Sequence, residues 1–236
     1  MHKKVFYNLC KVTKFHKMTK IHHKEAFDRI SDERKNLILE VGIEEFSSKG
    51  YENANINIIA QKAGISIGLM YKYFATKEDL FMTCIGRGMS ILDDTLQEIM
   101  VSGDKLLIKA EKLIRATCEL SKKNSKYIRL YNEITAEKDG ERAVELAREI
   151  EVNTSRVYIT AIAQALAGGD VRNDLNPRLF AFFLDNLLLN LQFSFTCEYY
   201  KERLKIYTGV DTDKMDEEEI VKQLLKFIES AFTFEK

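Results

Sequence analysis

The sequence predicts an all-α protein of about nine helices, a small helical head followed by a larger helical body. Two observations carry that expectation. Apolar residues recur at steps of three and four along nearly all of the chain beyond Asp32, and no two-residue alternation of the kind a half-buried strand needs persists for long. Helix-start residues (Asn, Ser, Thr, Asp) and helix-stop glycines also stand at the edges of those periodic runs.

The elements follow in order. Leu37, Ile38, Val41, Ile43 and Phe46 define a first helix from Asp32, with Lys49-Gly50 as its stop. Asn55 is placed to accept an orphan backbone N–H of a second helix that holds Ile56, Ile59, Ala60 and Ala63 and ends at Gly64. Ser66 caps a third, on which Met70 and Phe74 face inward. Thr76-Lys-Glu-Asp79 has the spacing of a capping box and opens a long fourth helix to about Val101. Helices are then expected over Asp104 to about Lys123, Lys126 to about Thr135, and Glu141 to about Ala167, the last stopped by Gly168-Gly169. Asn176-Pro177 is a cap followed by proline in the first turn, a strong start for a helix running to Tyr207. A final helix from Asp216 opens on Glu217, Glu218 and Glu219, where acids complement the helix dipole.

Composition bounds the function. With 236 residues, 45% of them hydrophobic, the chain can bury a proper core. Net charge is zero, but residues 1–80 hold fourteen Lys and Arg against ten Asp and Glu, a local balance of +4. A basic front and an acidic back point to a polyanion met by the front alone. Met1 to Lys24 carries seven lysines, all four histidines and no acid, and reads as an extended tail or as a basic arm laid on phosphates. Cys10, Cys84, Cys118 and Cys197 lack metal-ligand spacing, so no metal and no cofactor are expected, and reduced thiols in a cytoplasmic protein are. The most apolar stretch, Leu179 to Phe195, is interrupted by Asp185, Asn186, Asn190 and Gln192, a poor bilayer span, so no membrane is expected.

Gly50-Tyr51, Asn55, Ile59-Ala60, Ala63-Gly64-Ile65-Ser66, Gly68, Tyr71, Tyr73-Phe74 and Lys77-Glu78-Asp79-Leu80 together resemble the DNA-binding head of the tetracycline-repressor (TetR) family of bacterial regulators. The resemblance covers roughly Asp32 to Ile91. It implies a division into an N-terminal extension, 1–31, a head, 32–91, with its helix-turn-helix at about 55–74, and an effector-binding and dimerisation body, 92–236. It also implies a homodimer that binds a palindromic double-stranded DNA operator and a small-molecule effector in the body. The body itself carries no motif that can be matched.

The matched positions imply roles within the head. Tyr71, Tyr73 and Lys77 fall where family members hold phosphates, with Asn55 and Ser66 as caps beside the DNA backbone. Base reading falls to Ile67, Gly68, Leu69 and Lys72, with Asn57 from the second helix. Ile67 and Leu69 depart from the usual polar residues there. Apolar side chains cannot read donors and acceptors but can pack on thymine methyls, so a T-containing half-site is expected; the alternative is that Leu69 or Ile67 packs against the neighbouring helix.

In the body, Asn186, Asn190, Phe193 and Cys197 lie along one line of an otherwise apolar helix. The two amides would orient a ligand in a pocket lined by Tyr127, Tyr131, Phe183 and Phe193, or bond across a dimer, or bond a neighbouring helix. The helix from Pro177 and the last helix, with Ile220, Leu224, Leu225, Phe227, Ile228 and Phe232, together offer a wide apolar surface for a two-fold four-helix interface. No nucleophile-base pair, phosphate-binding glycine loop or metal-ligand helix is present, so an enzyme is not expected. The alternative to an effector-released repressor is a DNA-bound adaptor acting through a protein partner.

Overall fold

The computed structural model describes residues 20–136 and 139–233. Among these there are eleven α-helices, one 3-10 turn and no strand. A short α1 (Glu25–Asp28) precedes the head, made of α2 (Asp32–Asn53), α3 (Ile56–Lys62), α4 (Ile67–Tyr73) and the long α5 (Lys77–Val101). The body follows with α6 (Leu106–Lys123), α7 (Ser125–Thr135), α8 (Gly140–Gly168), α9 (Pro177–Thr196), α10 (Glu198–Thr208) and α11 (Glu217–Phe232).

Local chemistry accounts for most of the boundaries. The Asn57 N–H donates to Asn55 Oδ1 at 2.9 Å, and the Leu69 N–H donates to Ser66 Oγ at 3.1 Å. At the start of α5 the box is complete: Asp79 N–H donates to Thr76 Oγ1, and Thr76 N–H donates to Asp79 Oδ2, both at 3.0 Å. Gly50 breaks α2 with a φ of +73° and Gly64 turns the chain between α3 and α4 with a φ of +65°, a region that glycine enters without steric cost.

Two expectations need correction. The helix expected from Pro177 to Tyr207 is interrupted at Cys197, whose backbone is extended, so that it forms α9 and α10. The Ser194 and Thr196 hydroxyls donate to the carbonyls of Asn190 and Gln192, side-chain bonds of the kind that bend and weaken a last helical turn. The second concerns the segment before the head, whose described residues, from 20 onward, are docked rather than extended. Phe27 of α1 is buried with its ring 4.8 Å from that of Phe74 and 5.7 Å from that of Tyr73. His22 and His23, which fall in the stretch read as an extended tail or a basic arm, pair with Glu149 and Asp28.

Two large cores and one small one, around Ile128, Phe193 and Cys197, organise the packing. The head core gathers Ile38, Phe46, Ile59, Met70, Phe74 and Leu80 and continues onto Leu130 of α7 and Leu146 and Ile150 of α8. The body core lies between α6, α8, α9 and α11. α5 touches both: it packs against α2 in the head and against α6, α7 and α8 in the body. Its contact with α7 depends on Gly88, where an added Cβ would lie 2.4 Å from Tyr127 Cδ1.

α9 is, among the described helices, the one long and apolar enough to cross a membrane by length and composition. Here it packs against α6, α7, α8 and α10. Its outward face leaves Leu179, Phe182 and Phe183 exposed, Phe182 at 61%, and Phe227 on α11 is likewise 61% exposed.

Candidate DNA-binding face and body cavity

α4 has two faces. Met70 and Phe74 enter the head core, while Ile67, Gly68, Tyr71 and Lys72 form an outward strip at helical positions i, i+1, i+4 and i+5. Ile67 is 37% and Tyr71 46% exposed. A Cβ built at Gly68 meets nothing nearer than Ser66 Oγ at 4.0 Å, so the fold leaves open space there. Asn55 and Asn57 at the start of α3 are exposed, as is Ser66 at the start of α4.

Three of the expected contact residues sit differently. Tyr73 is only 6% exposed, and its ring packs on Phe27 and Phe74, so it is a core residue of the head. Its inward turn follows from its place three residues after Met70, on the same side of α4. Leu69 is half-buried against the same core, so of the two apolar residues Ile67 is the more exposed. Lys77 is half-buried: its Nζ donates to the Glu52 carbonyl at 3.0 Å and lies 4.8 Å from the centre of the Tyr51 ring. It joins the end of α2 to the start of α5, and a role at a phosphate requires that it leave or share those contacts.

Two residues outside the expected set hold the face in place. Lys24 donates from its backbone N–H to the Tyr73 carbonyl at 2.8 Å and from Nζ to the Tyr71 carbonyl at 2.9 Å, which satisfies orphan acceptors at the end of α4. Arg34 of α2 donates to the Gly64 carbonyl at 2.8 Å, fixing the turn between α3 and α4. Neither contact has a signature in local sequence, since the partners are 47 and 30 residues away.

The body holds a partly open cavity of about 100 Å³ between α5, α6, α7, α8 and α9. Met89, Thr95 and Leu96 of α5 line one side, and Leu113, Ala116, Thr117 and Leu120 of α6 another. Tyr131 comes from α7; Glu151, Thr154 and Tyr158 come from α8; Asp185, Leu188, Leu189 and Gln192 come from α9.

Of the residues expected in a pocket, Tyr131 lines the cavity and Phe193 lies in the small core behind it, its ring 6.1 Å from that of Tyr131. The others are elsewhere. Asn186 and Asn190 donate to carbonyls of their own helix, Phe182 at 2.7 Å and Asn186 at 2.8 Å, and Phe183 is on the exposed outer face. Tyr127 seats on Gly88 and accepts from Arg87 Nε at 3.0 Å. The face of α9 that lines the cavity is 185, 188, 189 and 192, about one residue's rotation of 100° from the line of amides. A helix apolar nearly all round does not declare which face turns inward; the one available signal was Asp185, a carboxylate inside the most apolar stretch of the chain.

The cavity is electrostatically one-sided. Burial, and then the charge of Glu151, push the Asp185 carboxyl up to about 7. Burial also raises Glu151, against the lowering effect of the hydrogen bond it accepts from Tyr131. The phenols of Tyr131 and Tyr158 are raised by burial and by those carboxylates.

These features define a helix-turn-helix protein with a separate helical body around a cavity, and comparison with known proteins agrees. The family model described as "Bacterial regulatory proteins, tetR family" matches residues 38–83, from α2 into the first turns of α5. HTH-type transcriptional regulator HbdR of Aromatoleum sp. (strain CIB) is 30% identical over 148 residues, 61% of this chain and 62% of that protein, a little under two thirds of its length. Among solved structures, the transcriptional regulator FadR from Bacillus subtilis in complex with stearoyl-CoA superposes with a TM-score of 0.65 at 17% identity, over 83% of this chain and 97% of that one. AibR in complex with isovaleryl coenzyme A and operator DNA does so with a TM-score of 0.61 at 17% identity, over 82% and 97%. The head of the chain, residues 38–83, is thus similar to that of the TetR family of transcriptional regulators.

Proposed function

We propose that this protein is a cytoplasmic repressor that binds a palindromic operator as a homodimer and is released when a small molecule occupies the body cavity. The observation that carries the reading is the position of α5. Its first turn follows α4 directly, and Met89, Thr95 and Leu96 further along it line the cavity, so one helix joins the outward strip of α4 to the ligand space. A ligand that prefers the cavity in one tilt of α5 shifts the spacing of the two heads by its difference in affinity, typically about 1 to 3 kcal/mol.

In this reading Ile67, Gly68, Tyr71 and Lys72 meet the major groove, Ile67 packs on a thymine methyl, and Asn55, Asn57 and Ser66 approach the DNA backbone from the helix starts. The exposed Leu179, Phe182 and Phe183 of α9 and Phe227 of α11 support the homodimer, because two such faces brought together remove a large apolar area from water. The solved regulators of the same fold that hold acyl-coenzyme A molecules, one together with operator DNA, support a small-molecule effector.

Size-exclusion chromatography with light scattering tests the quaternary part. A dimer at micromolar concentration is expected for the parent, and Phe182→Asp with Phe227→Asp yields monomers that lose operator affinity. A monomeric parent protein, or one that binds DNA equally well after that double change, contradicts the proposal.

A further inference from the structure

The polar groups of the body cavity lack partners in a pattern that specifies a guest. Tyr158 is only 5% exposed and lines the cavity, yet its hydroxyl makes no hydrogen bond among the described residues. Thr154 Oγ1, also on the wall, is buried without a partner. Asp185 forms no ion pair or hydrogen bond among the described residues, and none of the described lining residues is Lys, Arg or His. Polar groups held away from water are nearly always satisfied, and a half-buried carboxylate such as Asp185 with no cation on the same wall carries an electrostatic cost.

The remaining wall is apolar, with Leu96, Leu113, Leu120, Leu188 and Leu189 around the polar end. A space of about 100 Å³ suits one ring or a short alkyl chain, since a cavity of roughly 150 Å³ holds benzene.

We propose that the cavity takes a small organic cation, an ammonium on a compact apolar body, with the ammonium seated between Asp185 and Tyr158 beside Glu151. This rests on the reading of the cavity as the effector site. An ammonium offers three donors, which match the Asp185 carboxylate, the Tyr158 hydroxyl oxygen and the Glu151 carboxylate left with spare acceptor capacity after its bond from Tyr131. An anionic group in the same place faces two like charges, and an alkyl chain leaves Asp185, Tyr158 and Thr154 unpaired. The raised carboxyl of Asp185 agrees with a site incomplete without a cation.

Isothermal titration calorimetry of the full chain with three molecules of equal shape and different charge tests this: benzylammonium, benzyl alcohol and benzoate. Benzylammonium is expected to bind at least tenfold more tightly than benzyl alcohol, with benzoate weaker than both. Asp185→Asn is expected to lose that tenfold preference while keeping its affinity for benzyl alcohol, and Ala116→Phe, which fills the space, to lose all binding. Benzyl alcohol or benzoate binding as well as benzylammonium, or Asp185→Asn leaving benzylammonium unchanged, overturns the cation while the cavity remains a ligand site. Binding of none of the three at millimolar concentration, or binding that survives Ala116→Phe, overturns the cavity reading and the cation with it.

Discussion

The imidazole of His22 donates a hydrogen bond from Nε2 to the buried carboxylate of Glu149, and its Nδ1 lies 3.8 Å from Asp79 Oδ1. One side chain thus links the segment before the head, the first turn of α5 and the middle of α8. His22→Ala leaves Glu149 buried without that partner, and hydrogen bonds to charged groups contribute about 2 kcal/mol. Urea unfolding is expected to show a loss of that size. Glu149→Gln is expected to lose less, and the double variant to lose less than the sum, because the two residues share one interaction.

Gly68 separates folding from DNA contact. Its Cβ position is open and lies in the first turn of α4, where the backbone suits alanine, so Gly68→Ala is expected to raise stability by about 0.4 to 1 kcal/mol in a thermal or denaturant scan. Operator binding by fluorescence anisotropy is expected to weaken at least tenfold, since the added methyl stands where the duplex approaches. Unchanged affinity in a stabilised Gly68→Ala protein removes this face from the interface.

Gly88 lets the Tyr127 ring lie directly on α5. Gly88→Ala places a methyl inside that ring, an overpacking that costs roughly 1 to 3 kcal/mol. Because α7 also packs on α2, the strain is expected to alter the head's position as well as stability. Tyr127→Ala on the same background is expected to restore most of the loss, which a denaturation series on the two single variants and the double variant reads directly.

Asp185 makes stability depend on pH in an uncommon direction. Its folded carboxyl, pushed up to about 7 by burial and then by Glu151, stands well above the ordinary carboxylate range of an unfolded chain. The folded state therefore holds the proton more tightly, and its stability falls as pH rises from about 4 to about 7. Asp185→Asn removes that penalty: it is expected to exceed the parent by about 3 kcal/mol at pH 8 and to match it near pH 4, measured by denaturation across that range. A difference that shrinks as pH rises contradicts the burial of this carboxylate.

What could be read from sequence divides along the range of the interactions involved. Asn55, Ser66, Thr76 with Asp79, and Asn176 with Pro177 act on backbone groups two or three residues away, and the helix starts they mark are present. Gly50 and Gly64 likewise mark their turns through their own φ angles. The unread features are tertiary. Tyr71 and Tyr73 are both tyrosines at the end of α4; helix register puts Tyr73 on the side of Met70, but the approach of Phe27 from α1 that covers it has no local signature. Asn186 and Asp185 are adjacent in a helix with apolar residues on every side, so the packing of α6, α7 and α8 around α9 determines which of them faces the cavity.

The central claim is sequence-specific DNA binding through the outward strip of α4, and selection of bound duplexes from a random pool tests it most directly. The parent protein is expected to enrich a palindrome with T in each half-site. Ile67→Ala is expected to relax the preference at that T alone, while Lys72→Ala weakens binding by about 1 to 3 kcal/mol if it reads a base. A pool that shows no enriched sequence with the folded parent, or the same enriched sequence and affinity after Ile67→Ala and Lys72→Ala together, contradicts the account.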